Sequence, residues 1–150
     1  MKTNMSQVRA TNALNWKDRN YGGKNEGNIV SGFPVIIRTD GLLAALAYAL
    51  EKKEDKQTRR LAPKNAGEFV IALAIFNHLA STLILRDETS IRRLNEEFDD
   101  LKAQNQDMGE QFFEAAEGFT RELAVGDSAL LRRATAEALA FLNYLKRFVA

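Results

Sequence analysis

Asp127 to Ala150 reads DSALLRRATAEALAFLNYLKRFVA. Leu131, Ala134, Ala138, Leu142, Leu145 and Val149 recur at three- and four-residue spacing. That period places them on one stripe of an α-helix, and Phe141 and Phe148 widen it. Asp127 stands where a side-chain N-cap belongs. Arg132, Arg133 and Arg147 fall away from the stripe and Lys146 sits at its border, so the helix is expected to bury one face and show cations on the other.

Working outward, the preceding segments repeat the helical period. Phe112, Ala116, Phe119 and Leu123 form a seam between Gly109 and Gly126, and Ile91, Leu94, Phe98 and Leu101 form another from Asp87 to Ala103. These are narrow seams of the kind that pack in bundles. Glu68 to Arg86 is apolar on nearly every side and predicts a central helix. Met5 to Trp16 predicts a first helix, and the glycines and asparagines from Asn20 to Asn28 a flexible loop. Ser31 to Arg38 reads as a short helix with Pro34 near its start. Leu42 to Lys53 reads as another, with Asp40 as its cap. Residues 52–64 are polar and read as a linker. No run alternates apolar and polar residues, so no sheet is expected. The expectation is an all-α, single-domain helical bundle of about five to seven helices over residues 1–150.

Composition agrees with a globular chain able to bury a core: 150 residues, 45% hydrophobic and 27% charged. There is no cysteine, which excludes disulfide and thiolate chemistry. No signal peptide or membrane span is read, and the expected location is the cytoplasm. The net charge of +1 hides a split: residues 1–64 hold 12 basic and 6 acidic side chains, and residues 87–122 hold 4 basic and 11 acidic. That pattern suits a protein with one face for a polyanion and another for a neighbour.

Catalytic chemistry finds little support. His78 is the one histidine, set in the most apolar helix, where a core histidine bonded to backbone or asparagine is the simpler reading. No Cys/His spacing suggests zinc and no glycine-rich phosphate loop is present. The acidic pairs Glu96-Glu97 and Asp99-Asp100 lack convergent ligands, so no metal, cofactor or catalytic residue is expected. The cations carry more weight. Arg133 and Arg147 lie fourteen residues apart, roughly 21 Å along a helix at ~1.5 Å per residue, with Arg132 and Lys146 as a parallel row. Such rows can follow phosphates without reading bases. In the alternative, Arg133 pairs with Glu137 one turn on, and Lys146 and Arg147 answer the helix dipole. Lys52 and Lys53 begin a second basic cluster, and Arg38 closes a short helix; both join the candidate phosphate contacts.

Two segments resemble a known family. Pro34-Val35-Ile36-Ile37-Arg38-Thr39-Asp40-Gly41-Leu42 followed by Leu46-Ala47-Tyr48 is one, and Arg132 through Phe148 is the other. Together, in this order, they resemble the small subunit of the type III-B (Cmr) CRISPR effector complex. Tyr144 stands where that family often has tryptophan, and Leu131 where it often has tyrosine. The type III-A small subunit is the near alternative. The resemblance implies a non-catalytic helical subunit for antiviral defence; because head-to-tail contacts are weak until a scaffold supplies effective concentration, the isolated chain is expected to be a monomer. It implies several copies stacking head to tail beside the other subunits, with basic faces lining the channel of guide and target RNA. A helical protein–protein adaptor with no nucleic-acid role is the competing reading, with residues 87–122 as its working surface.

Overall fold

In the computed structural model the described residues are 4–22, 26–104 and 107–149. They form seven helices and one small hairpin. Helix α1 spans Met5–Trp16, α2 Glu26–Asp40 and α3 Leu42–Ala49; strands β1, Lys52–Glu54, and β2, Leu61–Pro63, follow; then α4 Ala66–Ser81, α5 Glu88–Ala103, α6 Gly109–Val125 and α7 Ser128–Phe148. The all-α bundle is what the apolar periods predict.

Local chemistry sets the helix starts. Asn4 and Gln7 form a reciprocal capping box on α1. Asp87 accepts the Ser90 N–H at α5, and Asp127 accepts the Leu130 N–H at 2.7 Å at α7. Helix α4 is buried on almost every side, as its composition requires, and touches α1, α2, α3, α5 and α7. Phe69 of α4 meets Phe98 of α5 and Phe112 and Phe113 of α6 at ring centroid distances of 5.3, 5.8 and 5.8 Å. These rings join the two acidic helices to the core through their narrow apolar seams. At the other end of the core, α7 packs against α1, α2, α4 and α6. Gly67 lets α4 approach the backbone of Tyr21, since a Cβ there would stand 1.9 Å from the Tyr21 carbonyl oxygen.

Several elements depart from the sequence reading. The segment expected as a polar linker is an antiparallel hairpin, pairing Lys52 with Pro63 and Glu54 with Leu61. Its strands are three residues long and β1 is exposed on both faces, so no alternating pattern exists to betray it. Instead, Asp55 builds the turn by accepting the N–H groups of Gln57 and Thr58 at 2.8 and 2.9 Å. Helix α2 begins at Glu26, so 26–28 are helical and Pro34 lies inside the helix rather than near its start; residues 23–25 of the expected loop lie outside the described residues. Asp40 ends α2 and does not cap α3, whose N-cap is Gly41 at φ 92°. Phe148, expected in the buried stripe, is 39% exposed. The central helix stops at Ser81, where Leu83 takes a left-handed conformation (φ 64°) and the Ile84 N–H returns to the Leu79 carbonyl.

Candidate nucleic-acid interface

Helix α7 divides its surface sharply. Ala134, Glu137, Ala138, Phe141, Leu142 and Leu145 are buried. Arg132, Arg133, Lys146 and Arg147 are all exposed on the opposite side, within roughly 140° of arc at 3.6 residues per turn. Between the two cation pairs Ala136 and Asn143 are exposed, and Leu139 and Ala140 are half-buried. The result is a low ridge with positive charge at each end.

Clefts flank the ridge near its N-terminal half. On the Arg132 side a cleft of about 690 Å³ runs between α7 and the α2–α3 junction, lined by Leu42, Leu43, Leu131, Leu139 and Asp40. On the Arg133 side a smaller one of about 320 Å³ is lined by Met5 and Arg9 of α1, Thr82 and Ile84 beyond α4, and Ala136 and Glu137 of α7. Ala136 borders both.

Nothing among the described residues neutralises the ridge cations. Among them Arg132 reaches only the Ser128 hydroxyl, at 3.4 Å. Arg133, Lys146 and Arg147 make no hydrogen bond or ion pair among the described residues. The expected alternative, Arg133 paired with Glu137, does not form. Glu137 turns inward and takes a two-pronged bond from Arg9 of α1, Nε to Oε2 at 2.7 Å and Nη2 to Oε1 at 2.8 Å. The His78 Nε2 lies 2.8 Å from the same Oε2.

That inner cluster fixes the protonation of His78. Asn12 sets its amide nitrogen 2.8 Å from Nδ1. An amide N–H can donate only to an unprotonated ring nitrogen, so Nδ1 accepts and Nε2–H donates to Glu137. Burial pushes the His78 pKa down against the pull of Glu137, in the same direction. The ring also stacks on Phe141 at a centroid distance of 4.6 Å. Arg9 holds the Glu137 carboxyl below the usual carboxylate range despite its burial, and Glu137 in turn raises Arg9. His78 is therefore a core histidine tying α4 to α1 and α7. The sequence reading had it bonded to backbone or asparagine and did not anticipate Glu137 and Arg9. The helical period leaves Glu137 at the border of the buried stripe, about 40° from both Phe141 and Arg133, so the sequence alone does not say which way it turns.

The remaining candidates are scattered. Arg38 is exposed in the last turn of α2, two residues before Asp40 in the Arg132 cleft. Lys52 and Lys53 are exposed on β1, in clefts shared with α3, α5 and α6 rather than those flanking Arg132 and Arg133. Among the acids, Asp99 is engaged by Arg19 at 2.8 and 3.0 Å. No three acidic or histidine side chains among the described residues gather as a metal site. No helix among them is long and apolar enough to cross a membrane.

Residues 5–150 match the family described as CRISPR-associated protein (Cas_Cmr5). The chain belongs to the Cas_Cmr5 family. It is a small subunit of the Cmr, type III-B, CRISPR effector complex, the family that the two quoted segments resemble. No curated protein and no solved structure matches it. Within this Cas_Cmr5 chain, one resembling segment supplies the exposed ridge of α7, and the other supplies α2 and α3, which wall the cleft beside Arg132.

Proposed function

We propose that the α7 ridge lies along the sugar-phosphate backbone of guide or target RNA inside the Cmr complex, and that the subunit acts there without catalysis. One observation carries this reading: four cations share one exposed face of a helix whose opposite face is core, and no ion pair among the described residues quenches them. Charged side chains arranged this way favour a polyanion and leave base edges unread. Arg38 at the end of α2 extends the positive field, and Lys52 and Lys53 on the hairpin form a separate outlying contact. The lone histidine is occupied by its partners in the core, which agrees with a structural rather than a chemical role. Several copies stack head to tail on the assembled complex in the cytoplasm, with the acidic α5–α6 region toward a protein neighbour; isolated, the chain is a monomer.

The test replaces Arg132, Arg133, Lys146 and Arg147 together by alanine. Binding of the parent chain to single-stranded RNA falls with salt by a log–log slope of about 0.7 for each phosphate neutralised, and the variant loses most of that slope. Target capture by the assembled complex falls with it. Unchanged RNA binding and capture refute the ridge. A second reading, protein adaptor alone, draws on the exposed acids of α5 and α6; native mass spectrometry with and without RNA separates the two.

A further inference from the structure

Leu83 breaks two rules of a folded surface at once. It lies just past the end of α4 at φ 64°, the left-handed position that closes such helix ends and that glycine fills without strain. Its side chain is also 78% exposed, while the next two residues, Ile84 and Leu85, are buried. A leucine here is strained in the backbone and gains almost nothing by packing within the chain.

Its neighbours Thr82 and Ile84 line a cleft with Arg133, the 40%-exposed Met5 and the mutually paired Arg9 and Glu137, so the uncompensated charge at that cleft is that of Arg133. Arg86, three residues on, is exposed and makes no ion pair among the described residues. The nearest acids in sequence are occupied within α5: Asp87 takes the N–H and hydroxyl of Ser90, and Glu88 pairs with Arg92. An apolar knob beside the Arg133 cleft and three residues before Arg86, both arginines without an ion pair among the described residues, fits a nucleic acid better than an acidic protein face. The arginines take phosphates, and the knob has a base step to enter.

We propose that Leu83 is a wedge that enters between two bases of the RNA strand whose phosphates Arg133 and Arg86 hold. This rests on the reading of the α7 ridge as an RNA face and adds to it a local distortion of the bound strand. Contact is with the flat faces of bases, so the wedge unstacks without selecting sequence.

Leu83→Gly separates this role from folding, because glycine relieves the backbone and removes the knob. Leu83→Asn keeps a side chain that tolerates the left-handed region but is polar. Each is compared with the parent full chain on single-stranded RNA carrying 2-aminopurine, whose fluorescence rises on unstacking. The parent raises the signal at saturation. Both variants do not, and they bind roughly fivefold more weakly once the buried leucine surface is lost. Leu83→Gly unfolds at an equal or higher denaturant midpoint.

The wedge is overturned if the variants bind RNA and brighten the probe as the parent does while the four-cation variant loses binding, a result that leaves the ridge standing. If neither set changes RNA binding, the ridge fails and the wedge with it. Loss of assembly with the other Cmr subunits at unchanged RNA binding makes Leu83 a protein anchor instead. A lowered midpoint for Leu83→Gly makes it a packing residue, which also overturns the proposal.

Discussion

Removing the Glu137 carboxylate tests whether the inner cluster holds α1 on the bundle. Glu137→Ala deletes three hydrogen bonds, two from the Arg9 guanidinium and one from the His78 ring. The two partners respond differently. The Arg9 side chain keeps 26% exposure and can turn to water, so it recovers part of its solvation. The His78 side chain is fully buried and its Nε2–H has nowhere to go. An unpaired buried donor costs about 1–3 kcal/mol, and a broken buried ion pair about 3–5 kcal/mol when neither partner can escape. Allowing for the escape of Arg9, the expected loss is about 3 kcal/mol by urea denaturation. Arg9→Ala costs less, about 1.5 kcal/mol, since Glu137 keeps His78 and can draw in water. The double variant should fall short of the sum by about 1 kcal/mol or more, the signature of direct coupling. Amide exchange in α1 should quicken before that of α4. A cost below about 0.5 kcal/mol for Glu137→Ala, or strict additivity with Arg9→Ala, would show that the Glu137–Arg9 bond contributes nothing and that α1 is held by Ala13, Trp16 and the hydrogen bonds of Asn12.

Three further outcomes follow from named contacts. Burial lowers the His78 pKa in the folded chain, so its contribution is complete above the unfolded value near 6.5 and is lost as pH falls through the folded value; stability should decline by up to about 1.4 kcal/mol per pH unit below 6.5. Glu137, also lowered, adds a second loss as pH drops below the ordinary carboxylate range. The first limb should vanish in His78→Gln, and a parent-like slope in that variant would refute the assignment. Gly67→Ala drives a methyl against the Tyr21 carbonyl and the Ile29 side chain, at a cost of about 3 kcal/mol or more in thermal unfolding. Ala136→Glu sets an acid on the ridge within a turn of Arg132 and Arg133, and should leave the midpoint within about 0.5 kcal/mol while weakening RNA binding more than loss of either arginine alone.

Where a segment's own period decides its state, the sequence is readable. The stripe of α7 with Asp127 as cap, the seams of α5 and α6 and the all-round apolar α4 are examples. Other elements are decided by partners far away in sequence. The hairpin is invisible because three-residue strands carry no period, and its outer β2 edge is satisfied by the α5–α6 connection, where Met108 donates to the Leu61 carbonyl and Asp107 accepts the Leu61 N–H. Pro34 suggests a helix start, yet α2 runs through it, docked on α3, α4 and α7. Of the candidate site, the four α7 cations could be read from the helical period. Their freedom from Glu137 could not, because it depends on Arg9, 128 positions away.

That long-range contact bears on how α7 combines two electrostatic tasks. The helix has one acid and a second at its N-cap, and each is withdrawn from the ridge: Asp127 into the cap, Glu137 into the interior. Had Glu137 faced outward beside Arg133, their pairing would have cancelled charge at the end of the ridge nearest α1. Turning it inward needs a cation and a donor in the core, which Arg9 and His78 supply. The bond that anchors the first helix is thus the same one that leaves Arg133 unpaired. A chain that lost Arg9 would hold Glu137 by His78 alone, leaving the carboxylate freer to turn toward Arg133, and would be weakened both in the docking of α1 and in its hold on a polyanion. Stability and RNA affinity should therefore fall together in Arg9→Ala, although Arg9 itself lies off the ridge.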